Sequence, residues 1–164
     1  MSQENGRQCG ENVIKVDVEM LLASGNTVQI KPQGDSMYPL FASGRDSAIL
    51  VPVSGGDCKR GDVVLYRREG SILVLHRIWK KKEDGFYMVG DGQTPVEGPI
   101  REDQIRAIMT GMVRKEKQLS VRNPLYRIYA VFWLRLRPFR AGILKVSRKI
   151  GRLYKKSFKK NKND

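Results

Sequence analysis

Cysteine and histidine are nearly missing from this chain of 164 residues, which has two cysteines, Cys9 and Cys58, and one histidine, His76. The cysteines form no C-x-x-C pair and a structural zinc site would lack ligands, so no metal is expected and the thiols read as reduced. Long apolar runs are lacking as well. The longest, Ile128 to Leu134, falls far short of the roughly 20 residues that a membrane-spanning helix needs. Because Met1 to Asn12 is polar, neither a signal peptide nor a transit peptide is read there. The expectation is a cytoplasmic chain without a cofactor. No repeat period of the solenoid kind occurs, and low complexity is confined to the lysine-rich end.

Acidic residues are scarce in one region only. A net charge of +14 would point to nucleic acid if it were spread evenly, but residues 1–120 hold 17 Lys and Arg against 16 Asp and Glu. Residues 121–164 hold the other 14 basic residues and one acid, Asp164. The basic character therefore belongs to the last quarter of the chain.

What is present has two periodicities. Ile14, Val18, Leu21 and Leu22 recur at helical spacing before Gly25, which predicts a short amphipathic helix. From Asn26 onward, short runs rich in β-branched and aromatic residues predict strands over Thr27 to Pro32, Ser47 to Val53, Asp62 to Arg68, Ile72 to Trp79, Gly85 to Gly90 and Ile105 to Arg114. Arg67 to Ser71 and Lys80 to Gly85 read as hairpin connections, which would set consecutive strands side by side. The expected fold is mainly β: a polar segment and short helix over residues 1–25, a small antiparallel β-domain over 26–120, and a basic tail over 121–164 set off by Asn123-Pro124.

Nucleophilic serine chemistry needs a hydroxyl, a base within reach and backbone donors for the oxyanion. Gly34-Asp35-Ser36-Met37-Tyr38-Pro39 supplies a serine in a turn, where Gly34 allows close backbone approach and the Ser36 amide can face a substrate oxygen. His76 stands in the strand pattern Ile72 to Ile78, on the face shared by Val74 and Ile78, and an imidazole there suits a general base. Each also fits a plain role: a turn serine and a buried structural histidine.

Their order is more informative than either alone. Gly-Asp-Ser-Met-Tyr-Pro is followed by Arg60-Gly61-Asp62-Val63-Val64-Leu65-Tyr66, then Leu75-His76-Arg77-Ile78, then Val89-Gly90-Asp91-Gly92-Gln93. These four boxes, over residues 26–114, resemble the signal peptidase and SOS-repressor superfamily. The histidine followed by arginine is closest to the archaeal and endoplasmic-reticulum type signal peptidases, where other branches carry lysine. The chain is also similar to short clostridial signal-peptidase-like proteins, which share a Tyr-Arg-Ile-Tyr and Leu-Arg-Pro-like tail, here Tyr126 to Tyr129 and Leu136 to Pro138.

The resemblance implies a signal-peptidase-like β-fold with Ser36 as nucleophile, His76 as base and Asp91 as the carboxylate that orients the imidazole. The family's acidic box reads Gly-Asp-Asn-Asn with a second aspartate six residues on. Here Gly92-Gln93 replaces the asparagines and Glu97 takes the second acidic position, so Glu97 is the alternative acid, and both acids also fit turn roles. Asp62, at a Gly-Asp before a strand, is assigned to structure.

The tail places Leu125, Ile128, Tyr129, Phe132, Trp133 and Leu136 on one helical face, and after Pro138 a second stripe runs through Ile143, Val146, Ile150 and Leu153 among Lys and Arg. Amphipathic basic helices suit an anionic membrane surface, with Tyr129, Phe132 and Trp133 at headgroup depth. The alternative is packing of the first stripe on the β-domain. Nucleic acid fits less well, because the aromatics are not interleaved with the basic residues as a stacking platform.

The expected function is a serine endopeptidase cleaving a peptide or leader sequence, peripherally at the cytoplasmic face of the membrane. Two alternatives are a self-cleaving regulator of the SOS mutagenesis type, cut at Cys9-Gly10, and a non-catalytic binding module that keeps the fold.

Overall fold

Alternation of β-branched residues with glycine-bearing turns governs the chain from Asn26 onward, and the outcome is one antiparallel sheet of eight strands. The computed structural model describes residues 17–69 and 72–146. Cys9-Gly10, Ile14, Ile150 and Leu153 lie outside the described residues.

The strands are β1 (Val28–Ile30), β2 (Asp46–Pro52), β3 (Val63–Arg67), β4 (Leu73–Lys82), β5 (Gly85–Val89), β6 (Glu97–Ile100), β7 (Ile105–Arg114) and β8 (Lys117–Ser120). Their order in the sheet is β1-β2-β7-β3-β4-β5-β6, with β8 paired to β7. The expected neighbours β3, β4 and β5 are neighbours. One expectation is corrected: β2 and β3 do not pair, because β7 lies between them and bonds to both. A 3-10 turn at Gly55–Asp57, not a hairpin, follows β2, so nothing local holds those two strands together.

Both faces of the sheet are covered, so the central strands read as unbroken apolar runs and not as alternations. In β3, Val63 and Leu65 enter one core with Leu50, Leu75, Met109 and Tyr126. Val64 and Tyr66 enter the other with Ile78, Phe86, Met88 and Ile105. A residue's parity along β3 or β4 therefore decides which core it joins.

Two helices pack on the first core, one through Leu22 and the other through Tyr126 and Ala130. α1 (Val18–Ala23) starts at Asp17, whose carboxylate accepts from the Glu19 amide at 2.9 Å, and stops at Gly25 with φ 82°. α2 (Pro124–Arg135) starts at Asn123, which accepts from the Leu125 amide at 2.9 Å, with Pro124 in the first turn. Residues 140–146 are helical again after a 3-10 turn at Arg137–Phe139. Among the described residues no helix is long and apolar enough to cross a membrane.

Candidate active site

The serine turn lies between β1 and β2 and is fastened from its C-terminal side. Met37, Leu40 and Phe41 are buried in the core, leaving Ser36 half-buried at the surface of the same turn. Asp46 braces the segment: one carboxylate oxygen accepts from the Ala42 amide at 2.9 Å, and Arg114 bridges Asp46 to the Leu40 carbonyl. Gly34, at φ 74°, admits the chain into the turn.

The second support is the segment Gly90 to Gln93. The Gly92 amide donates to the Ser36 carbonyl at 2.8 Å. A Cβ at Gly90 would sit 2.3 Å from the Ser36 carbonyl oxygen, and one at Gly92 would sit 2.3 Å from that of Asp35. Only glycine fits against the serine turn at these two positions, which explains two members of the fourth sequence box by backbone contact. The Ser36 hydroxyl and amide have no hydrogen-bond partner among the described residues, so both remain available to a substrate.

His76 lies at the centre of β4, 4% exposed, opposite Val64 of β3. That register puts Tyr66 on the same face. The Tyr66 hydroxyl is 3.2 Å from His76 Nδ1 and donates to Glu97 Oε2 at 2.9 Å. Because the hydroxyl's own proton goes to the carboxylate, its oxygen accepts from Nδ1–H, and the imidazole's lone pair is left on Nε2. Glu97 is in turn held by Arg68 through both its oxygens, Nε to Oε1 at 2.5 Å and Nη2 to Oε2.

The electrostatics agree with this arrangement. Burial pushes the His76 imidazole below its ordinary value, only partly offset by the Glu97 charge, so the ring is neutral near pH 7. Burial alone would raise the Glu97 carboxyl, but hydrogen bonds from Arg68 and Tyr66 outweigh it and hold the group below the usual carboxylate value. Desolvation, then the hydrogen bond to Glu97, raises the Tyr66 phenol, which stays a neutral donor.

Ser36 and His76 line one cavity of about 470 Å³, together with Gln93, Arg68, Leu65 and Leu75. No hydrogen bond joins the serine to the histidine. The structure thus brings the two expected residues to a common space and adds three that the sequence did not mark: Tyr66, Arg68 and Gln93. Tyr66 was inside the second box but was read only as a strand residue. The signal that finds it is the hairpin: with Arg67 facing Leu73 and Tyr66 facing Val74, parity alone places Tyr66 beside His76.

Asp91 is corrected. Its carboxylate is fully buried and forms a two-pronged ion pair with Arg77, at 2.9 and 2.7 Å, not a hydrogen bond to His76. Successive side chains of a strand point to opposite faces, so a carboxylate that meets Arg77 is turned from the face that presents His76. Arg77 also donates to the Gly61 carbonyl at 2.8 Å, tying the second box to the fourth. Asp62 keeps its structural role, accepting from the Lys59 amide at 2.9 Å.

The tail expectation divides. Tyr129 and Trp133 do not point outward: the Tyr129 hydroxyl donates to Asp91 Oδ2 at 3.1 Å and Trp133 Nε1 donates to the Asp91 carbonyl at 3.0 Å. Arg140 donates to the carbonyls of Gly90 and Gln93 at 3.0 and 3.3 Å. A buried tyrosine hydroxyl or indole N–H requires an acceptor, and the segment behind Ser36 supplies it. Phe132 is exposed as expected, with Leu125, Ile128 and Val131. Helix α2 is apolar nearly all round, so a helical wheel cannot tell which stripe packs.

No protein-family model, curated protein or solved structure gives a significant match to this chain.

Proposed function

We propose that this chain is a serine endopeptidase of the signal-peptidase-like type that cleaves a peptide or leader sequence. The observation that carries this reading is the cavity shared by Ser36 and His76, with Nδ1 of the histidine committed to Tyr66 and Nε2 free to accept a proton.

In the proposed reaction, Ser36 Oγ adds to the scissile carbonyl carbon while its proton passes to His76 Nε2. The C–N bond then breaks, the proton moves from Nε2 to the departing amine, and an acyl ester on Ser36 remains. Water gives a proton to His76, attacks the ester carbon and releases the acid, and the serine takes the proton back. The Ser36 amide serves as an oxyanion donor. Glu97, acting through the Tyr66 hydroxyl, stabilises the transient imidazolium, a task the sequence resemblance would assign to an aspartate.

The proposed place of action is an anionic membrane surface at the inner face of the cell membrane, reached peripherally through residues 124–164. Two observations support it: the +13 net charge of residues 121–164, and an exposed apolar row on α2 flanked by Arg127 and Arg135. The row is Leu125, Ile128, Val131 and Phe132, in place of the set containing Tyr129 and Trp133.

The catalytic reading is tested with an activated ester, the p-nitrophenyl ester of acetyl-alanine. Turnover that is lost in both Ser36→Ala and His76→Ala supports it. Turnover that survives Ser36→Ala overturns it.

A further inference from the structure

A second cavity, of about 500 Å³, adjoins the first. The two share Arg68, His76 and Gln93 in their walls, but Ser36 lines only the first. The second is walled by Met88, Pro95, Val96, Ala141 and Leu144, with Lys145 beside them. Polar residues, Thr94 among them, make up half of the lining, but most of the surface it exposes to the cavity is apolar. Its one carboxylate, Glu97, is already engaged by Arg68 and Tyr66. Ala141, Leu144 and Lys145 belong to the helical residues 140–146, so the C-terminal region builds part of this wall.

We infer that this second cavity is the subsite for the leaving side of the substrate, and that it takes an apolar side chain on the residue following the cleaved bond. The inference rests on the peptidase reading of Ser36 and His76. A histidine that takes the serine proton must return it to the departing amine, so the leaving nitrogen comes to rest against His76. The acyl portion occupies the cavity that Ser36 lines. The chain beyond the leaving nitrogen then enters the space on the other side of His76, where apolar walls reward an apolar side chain and Lys145 opposes a cationic one.

Partition of the acyl-enzyme tests this without knowledge of the natural substrate. Acetyl-alanyl-Ser36, formed from the p-nitrophenyl ester, is attacked either by water or by an added amine. In the amine reaction the amine nitrogen bonds to the ester carbon, its proton passes through His76 to Ser36 Oγ, and acetyl-alanyl amide is released. Leucinamide, glycinamide and lysinamide are compared as acceptors, and the products are quantified by mass spectrometry.

The ratio of aminolysis to hydrolysis should be roughly tenfold higher for leucinamide than for glycinamide or lysinamide. In Ala141→Trp, which fills the cavity from an exposed position, and in Leu144→Asp, that preference should fall to the glycinamide level. Because each ratio is internal to one protein, a general loss of rate does not move it. Equal ratios for the three amines, or a leucinamide preference that Ala141→Trp leaves intact, overturn the subsite. Ester turnover that does not depend on Ser36 overturns the peptidase reading and the subsite with it, so the two failures are told apart.

Discussion

The Tyr66 hydroxyl lies 3.2 Å from Nδ1 of His76, and its own proton is directed to Glu97. One oxygen therefore settles which imidazole nitrogen carries hydrogen. Removing it should cost both activity and stability. Tyr66→Phe is expected to lower the rate of Ser36 acylation roughly 10- to 100-fold, through loss of the tautomer and of the link to Glu97. The accompanying loss of stability should be about 2–4 kcal/mol, because the hydroxyl makes two hydrogen bonds, one of them to a carboxylate, and its loss leaves the buried Nδ1–H of His76 without an acceptor. Ester kinetics and urea denaturation on the same preparation separate the two effects.

The pH dependence follows from His76. Burial depresses the folded-state imidazole below its ordinary value of 6.5, so the base form persists below neutrality. The acid limb of the acylation rate should therefore lie below pH 6.5, not at it. Stability has a matching sign: the unfolded chain binds the proton more readily, so folding weakens as pH falls below the unfolded value and the loss ends once the folded ring is itself protonated. Glu97, depressed from 4.5, adds stability that is present above that value and lost as pH falls through its folded value. Rates and denaturation midpoints measured across pH 4 to 8 check both. In Glu97→Gln, the acid limb should move further down, because the charge that favours imidazolium is gone.

Asp91 and Arg77 form a fully buried ion pair. Asp91→Asn leaves the guanidinium without its counter-charge and should destabilise the fold by about 3–5 kcal/mol. At temperatures where the variant stays folded, the acid limb of its acylation profile should move down only slightly, because the Asp91 charge favours the imidazolium less than the Glu97 charge does. A large shift of that limb with little loss of stability would return Asp91 to the role of orienting acid.

These two carboxylates also mark what sequence reasoning can and cannot reach. The strands with β-branched runs, the two hairpins, the break at Asn123-Pro124 and the helical stripe from Leu125 were all legible, because each rests on local pattern. Strands β6 and β8 were not. Glu97-Gly98-Pro99-Ile100 has no strand propensity of its own and is held by β5, with Met88 opposite Glu97. Choosing between Asp91 and Glu97 required knowing which side of β4 each approaches. His76 and Arg77 are neighbours in sequence but face opposite cores, and the acid nearer in sequence reaches the wrong one. The apolar stripe of α2 was visible, while its inward half depended on the acceptors that Asp91 offers to Tyr129 and Trp133.

The membrane proposal has its own variants. Ile128→Asp with Phe132→Asp, both on the exposed face of α2, should abolish flotation with vesicles containing phosphatidylglycerol while leaving the thermal midpoint nearly unchanged. Binding of the parent should fall steeply between 50 and 500 mM salt and be weak on phosphatidylcholine alone. Flotation that ignores both the substitutions and the salt would contradict an electrostatic and apolar surface contact.

The most direct measurement is the mass and position of a fluorophosphonate adduct. A nucleophile activated by His76 should give one adduct per chain, mapped by tandem mass spectrometry to Ser36, with the rate lowered at least a hundredfold in His76→Ala and the adduct absent in Ser36→Ala. An unmodified chain after prolonged exposure at pH 8, or equal modification of the parent and His76→Ala, would contradict the account and leave the fold as a binding module.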